Sequence, residues 1–433
     1  MRIAVIGAGL TGVTTAFELS NRGHEVVVFE RRSGIAAEGS HALPGVAARG
    51  LWLAHAAVGS PTGLPAPVGR GQWLWQWRRR RAAQHPALAQ RLAAQEALDT
   101  VGAARRATWQ AACELTYDRH TGVVAVLRRP ADAERARALL DAHGDRLRGA
   151  RWVDAAALAT ADPGLAPAVD VQGALHWPAG EAANGRQFAH AVKSAAQGLG
   201  ARFACQMDVT ALAPTGTGGW RVTRQRLADE ADSGLASRQP LTALPDEDED
   251  DSLPFDAVVL CSRAAVSRLV PGGRASGAWA AASQATVTVP LRDVQHASEA
   301  VGPHGAWMDP LTRVTLHRMG DRVRAAGPWQ LGATRGARPD ADAVQPLFAA
   351  LEQAYPGATR TARAQLWLGS TMLPVDGLPV VGPGPQAGLW LHHGLGERAW
   401  SWSPATSAAM ADLLEGRPAD GIDVALLAPE RLR

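Results

Sequence analysis

The chain has 433 residues, of which 46% are hydrophobic and 20% charged, enough for two domains with cores of their own and typical of a globular protein. A formal net charge of +3 leaves no electrostatic footprint for nucleic acid, and no apolar run approaches the roughly 20 residues that cross a bilayer. Cys113, Cys205 and Cys261 lie far apart, which excludes a disulfide framework and a paired metal motif and points to a reducing, cytoplasmic compartment.

Ile3 to Ile6 reads as a buried strand running straight into Gly7-Ala8-Gly9-Leu10-Thr11-Gly12, then an apolar helix, then the strand Val26 to Phe29 closed by Glu30. This is the dinucleotide-binding pattern. Gly7 permits the tight turn, Gly9 lets a pyrophosphate approach the backbone, and Gly12 lets helix and strand lie close. Free N–H groups and the positive dipole end of the helix face the phosphates, and Glu30 stands where a ribose would offer hydroxyl donors. The first strand begins at residue 2, so no signal peptide is expected ahead of it.

Residues 36–50 are small and turn-rich, suited to close backbone contact with a ligand. Trp73, Trp75 and Trp77 then alternate before Arg78 to Arg81. Two readings stay open: a helix packed on the domain with a charged outer face, or a peripheral contact with the inner membrane through Trp73, Trp75, Trp77 and Arg78. Residues 84–116 read as two amphipathic helices, 123–127 as a strand, 131–147 as a charged helix, and 174–178 as a short strand before the helix 184–199. Strands follow at 201–205 and 220–223. Residues 228–254 are polar and carry six consecutive acids from Asp246 to Asp251, a run that reads as a mobile surface insertion. The core resumes as one strand, Phe255 to Cys261, then at 285–291 and in a hairpin turning at Gly320-Asp321. A helix at 343–355, the block Asp376-Gly377-Leu378-Pro379-Val380-Val381-Gly382, a strand Leu389–His392, the loop Gly394-Leu395-Gly396 and a helix from about Pro404 complete the chain. No histidine pair has metal-ligand spacing, so no metal is assigned. Lys193, the sole lysine, reads as a solvated helix residue. His392-His393 reads as a satisfied strand end that lies near the ligand.

In this order the segments resemble the FAD-dependent oxidoreductases of the D-amino-acid oxidase superfamily, most of all the bacterial D-amino-acid dehydrogenases. The resemblance rests on the N-terminal motif with Glu30, the Glu38-Gly39-Ser40-His41-Ala42 loop, Leu115 to Asp118, Gly173 to His176, the Phe255 strand, Arg318 to Arg322, and above all the Asp376 to Gly382 block. It implies an α/β fold: a discontinuous Rossmann-like FAD-binding domain (residues 1–83, 150–270 and 366–433) and a mixed-sheet α+β substrate domain (84–149 and 271–365). It further implies non-covalent FAD held by Gly7, Ala8, Gly9, Leu10, Thr11, Gly12, Glu30, Arg31, Ser40, His41 and Val209 on the ADP side. Gly369, Asp376, Gly394, Gly396, Glu397 and Arg398 would line the ring end. A buried FAD is enclosed from both chain ends, and no second glycine motif offers a separate nicotinamide site.

The implied reaction is oxidative deamination of a D-amino acid or related amine by hydride transfer to flavin, with quinone or oxygen as the electron acceptor. The alternatives are a secondary-amine oxidase of the sarcosine or glycine type that yields hydrogen peroxide, and a flavin-binding protein without amino-acid turnover. The chain departs from the family at the substrate end. Thr371 stands where an arginine holds the substrate carboxylate, Leu395 replaces the histidine of Gly-His-Gly, Leu43 replaces asparagine, and Cys261-Ser262-Arg263 lacks the usual glycine. A neutral threonine cannot make the two charged hydrogen bonds of a guanidinium. Arg313, Arg335 and Arg398 are therefore candidates, with Thr371, for the substrate end.

Overall fold

Alternation of apolar residues dictates the centre of the molecule. In β1 (Arg2–Ile6) and β2 (Glu25–Glu30), Ile3, Val5, Val26 and Val28 point to one core while Ala4, Ile6, Val27 and Phe29 point to another. Strands buried on both faces are the mark of a layered α/β sheet. Around them a six-stranded sheet runs in the order β18 (Val380–Pro383), β19 (Leu389–His393), β11 (Ala257–Leu260), β1, β2 and β7 (Arg202–Cys205). Its first face is covered by α1 (Leu10–Asn21), α7 (Gly185–Gly198) and α10 (Ala399–Leu414), with α4 (Leu88–Cys113) outside α10. Its second face packs on a three-stranded sheet, β10 (Ser252–Phe255), β9 (Trp220–Arg226) and β8 (Met207–Pro214), and on α8 (Arg263–Leu269).

This is a computed structural model that describes residues 1–432 apart from 61–71, 85–86, 145–148, 167–169, 217, 228–251, 274–276, 293–301 and 333–338. No helix among the described residues is long and apolar enough to cross a membrane.

The second body is a ten-stranded mixed sheet. Its path is β16 (Gln330–Leu331), β12 (Trp279–Pro290), β15 (Arg322–Ala326), β14 (Val314–Met319), β13 (Ala306–Asp309), β4 (Arg119–Leu127), β6 (Gly173–Ala183) and β3 (Val46–Ala47). Off the path, β17 (Gln365–Pro374) pairs with β12 and β5 (Arg151–Val153) pairs with β6. Val287, Val289, Leu316, Val323 and Ala325 face α9 (Ala341–Ala354) and α6 (Ala155–Ala161) on one side. The other side meets α2 (Trp52–Ala57), α5 (Pro130–His143) and α3 (Trp73–Gln84), whose Trp75 packs on Ala280, Ala282 and Trp329.

Several expectations are corrected. Residues 88–113 form one helix of 26 residues, with the preceding helix ending at Gln84, where two helices were expected over 84–116. Residues 173–183 and 366–374, placed with the nucleotide-binding part by sequence, pair with β4 and β12 in the ten-stranded sheet, because long strands recruit partners across any boundary drawn along the chain. The strand expected over Phe255 to Cys261 breaks at Asp256, which accepts from the Arg2 N–H at 2.6 Å and lets the two halves serve different sheets. The insertion expected over 228–254 lies outside the described residues as far as 251, while Ser252 to Pro254 are strand paired with β9. The closing helix begins at Ala399 and holds Pro404 within its first turns.

Candidate active site

The cleft follows from the β1–α1 turn. Gly7 has φ +104° and donates its N–H to the Phe29 carbonyl at 2.9 Å, a conformation that side chains rarely tolerate. A Cβ on Gly12 would stand 1.8 Å from the Gly7 carbonyl oxygen, so helix and turn touch backbone to backbone. α1 opens on Gly9 without a side-chain cap of its own; Ser40 supplies one from outside, its hydroxyl accepting the Leu10 N–H at 3.0 Å. Glu30 accepts from the Ala8 and Arg32 N–H groups at 2.7 and 2.9 Å. Burial raises its pKa against those two bonds, so hydroxyl donors from a ligand would be welcome there.

The cleft runs past this turn between the two sheets. Gly7, Gly9, Thr11, Glu30, Arg31, Ser40, Val209, Thr371, Gly394 and Gly396 all border it. Other residues expected on the ligand do not. Ala8, Leu10 and Gly12 act behind it through the turn contacts just described. His41 is turned to Trp367 and to the Arg186 guanidinium, and burial with the Arg324 and Arg186 charges lowers its pKa to about 3. Gly369 packs on Ala42. Asp376 accepts from the Leu378 N–H at 3.2 Å and pairs with Arg431 at 2.8 Å, a turn aspartate rather than a wall of the cleft. Arg335 lies outside the described residues.

Two residues that motif reasoning undervalued border the cleft with unpaired polar atoms. Arg263 is buried, places Nη2 on the Gly273 carbonyl at 2.6 Å, and leaves Nε and Nη1 without a partner. His393 is buried with Nδ1 unpaired. Adjacent strand residues point to opposite faces, so its neighbour His392 turns inward and is satisfied by the Thr15 and Thr406 hydroxyls, both at 2.8 Å. The glycine cradle, the ribose-ready carboxylate and these unpaired nitrogens suit a long anionic dinucleotide, and they fit FAD.

Trp329, in the loop after β15, borders this cleft and also a second, smaller cavity beneath the ten-stranded sheet. Glu397 and Arg398, expected on the cofactor, border this second cavity instead, with Arg313, Gln284, His55 and Asp309. Arg398 is committed: its Nη2 donates to both oxygens of Asp99 at 2.6 Å, with both side chains buried. Asp309 is likewise paired with Arg128 at 2.6 Å. Arg313 sits in the β13–β14 turn at φ +62° and has no acidic partner among the described residues. Burial pushes the Glu397 carboxyl up to about 7, against the nearby Arg398, Trp329 and Arg79. Gln284 donates to the Gly327 carbonyl at 2.8 Å and leaves its own carbonyl oxygen unpaired and buried. Burial raises the Cys205 and Cys261 thiols to about 11 and about 12, so neither offers a thiolate.

Comparison with known proteins agrees with this geometry. Residues 2–413 match the family described as FAD dependent oxidoreductase. A protein named D-amino acid dehydrogenase from Cereibacter sphaeroides is 28% identical over 455 aligned residues, covering 100% of this chain and 95% of that one. Among solved structures, glycine oxidase from Geobacillus kaustophilus superposes with a TM-score of 0.70 at 18% identity, covering 99% of this chain and 98% of that one. L-proline dehydrogenase from P. horikoshii gives 0.68 at 15% identity, covering 99% and 97%.

Proposed function

The chain belongs to the FAD dependent oxidoreductase family, and from that membership we propose that it oxidises the α-carbon of a D-amino acid. The observation that carries the reading is adjacency: Trp329 borders both the dinucleotide cleft and a small cavity lined by Glu397 and Arg313, neither of which has an ion pair among the described residues. Similarity along the whole length to a protein named D-amino acid dehydrogenase supports the substrate class.

Bound FAD supplies the hydride acceptor, and the protein supplies position and electrostatics. Gly7, Gly9 and the open start of α1 would meet the pyrophosphate. Glu30 would take the ribose, and Arg263 and His393 would reach the cofactor with their free N–H and ring nitrogen. Gly394 to Gly396 and Ser370 to Met372 would enclose the ring end, and the ten-stranded sheet roofs the substrate and keeps water from it. Anaerobic mixing of the yellow holoenzyme with a panel of D-amino acids is expected to bleach its visible flavin band, with short side chains fastest. A band that persists with every member of the panel would overturn the reading.

The electron acceptor in this reading is a membrane quinone. Trp73 and Trp77 are 76% and 49% exposed on α3 beside the exposed Arg80 and Arg81, a composition that suits an anionic bilayer surface. Trp75, expected to share that contact, is buried in the core under Trp329 and cannot. Sedimentation with anionic phospholipid vesicles is expected to carry the protein down. Replacing both Trp73 and Trp77 with Ser should weaken that binding about tenfold, by loss of partly buried apolar area. Protein left in the supernatant at low salt would refute the contact.

A further inference from the structure

The second cavity can be read by cancelling its internal ion pairs. Arg398 is neutralised by Asp99 and Asp309 by Arg128. His55, from α2, is kept neutral, since burial and the Arg398 charge lower its pKa to about 3. What remains on the wall is one carboxylate, Glu397, with no ion pair among the described residues, and one guanidinium, Arg313, with none either. In the same lining, Gln284 presents an unpaired, buried carbonyl oxygen that can only accept a hydrogen bond. Two charges of opposite sign that line one cavity without an ion-pair partner of their own favour a ligand that supplies both complements. The ligand class that does so is a zwitterion.

We propose that Glu397 and Arg313 bind the two ends of a zwitterionic amino acid in this cavity, with Arg313 holding the carboxylate and Glu397 taking a proton from the ammonium. The step balances simply: one N–H bond breaks, its electron pair stays on nitrogen, and the proton moves to a Glu397 oxygen. Gln284 accepts from a second N–H and orients the amine. The inference rests on the D-amino-acid reading for its substrate, and it explains why Thr371 can stand where a guanidinium is usual. The cation has moved from β17 to the β13–β14 turn. The cavity volume is about 30 Å³, on a scale where one water needs about 10–15 Å³, so the site is small and D-alanine, the smallest chiral amino acid, is the substrate for the test.

The groups facing Glu397 are few. They are Arg398 on its own turn, Arg79 from α3, Trp329 from the loop after β15, and His55 from α2, with Arg313 and the paired Asp309 across the cavity. Only the ionised carboxylate can take a proton. Because burial sets its titration at about 7, kcat/KM for D-alanine is expected to rise with pH through about 7 and level off above. Glu397→Gln should lose that limb and lower kcat/KM at pH 7 by about 10²-fold or more, as loss of a proton acceptor does.

A binding arm works on the oxidised holoenzyme, reading the shift of the flavin band with propanoate (carboxylate without amine) and isopropylamine (amine without carboxylate). Glu397→Gln should weaken isopropylamine and spare propanoate, and Arg313→Gln should do the reverse. A Glu397→Gln enzyme that keeps the limb near 7 and full affinity for isopropylamine would overturn the inference while leaving the D-amino-acid reading intact. A wild-type flavin that no D-amino acid reduces, but that shows the crossed pattern of half-ligand binding, would remove that reading and uphold the cavity assignment.

Discussion

Gly12→Ala is expected to yield a protein that purifies without bound flavin and unfolds at markedly lower temperature. The added Cβ would stand 1.8 Å from the Gly7 carbonyl oxygen and 3.0 Å from its carbonyl carbon. Both are backbone atoms, so no flexible side chain can swing aside. Relief requires α1 to move off β1, yet the helix is held on its far side by α7 and α10. Forced overpacking at such a site costs about 3 kcal/mol or more. The displacement also separates the start of α1 from Glu30 and Ser40, which together shape the phosphate and ribose ends of the cleft. Gly198→Ala, at the end of α7 with nothing within 4 Å of its added Cβ, is the control and should keep the flavin and the stability of the parent. Visible absorbance of the purified protein, thermal unfolding and titration with FAD test the pair. A yellow Gly12→Ala protein of parental stability would show that the close approach does not matter.

That turn was fully legible in the sequence because its chemistry is local. Three glycines, a helix and a terminal acid within 30 residues leave little freedom. The substrate end was legible only as a gap, namely Thr371 in the place of a guanidinium. What fills the gap comes from four separate elements, and no spacing rule joins Arg313, Gln284, Trp329 and Glu397. The Gly-rich loop near the end of the chain did point to this region, but sequence could not tell that Glu397 and Arg398 turn away from the cofactor cleft. Asp376 shows the same limit. Its partner Arg431 lies in the last turn of the chain, and only folding brings them together. β8 was missed because its burial does not alternate cleanly: among its eight residues only Val209 is buried, beside a break in register with β9. The exchange of β6 and β17 between the two bodies had no sequence signal either, since each strand is apolar enough for either sheet. His392 and His393 were legible as a pair, and the two-residue period of a strand divides them between core and cleft.

Asp99→Ala tests whether the cavity's charges are set from behind. Asp99 lies on α4, accepts two bonds from Arg398 Nη2 at 2.6 Å and one from the Trp402 indole N–H at 2.8 Å, and all three side chains are buried. Removing the carboxylate leaves a guanidinium in low dielectric without its ion-pair partner, a loss of about 3–5 kcal/mol. Removing one partner of an exposed pair, as in Glu25→Ala beside Arg202, should cost at most about 1 kcal/mol. Thermal or urea unfolding followed by tryptophan fluorescence separates the two, and equal stability would refute the account. The surviving folded fraction carries a second signature. Arg398 borders the same cavity as Glu397 and already favours its ionised form. Freed from Asp99, its charge is no longer compensated, so the Glu397 titration must move below about 7. The acid limb of kcat/KM should move to lower pH with it. A limb that stays in place while stability falls would mean that Asp99 only ties α4 to α10 and that the charge of Arg398 does not reach the reacting amine.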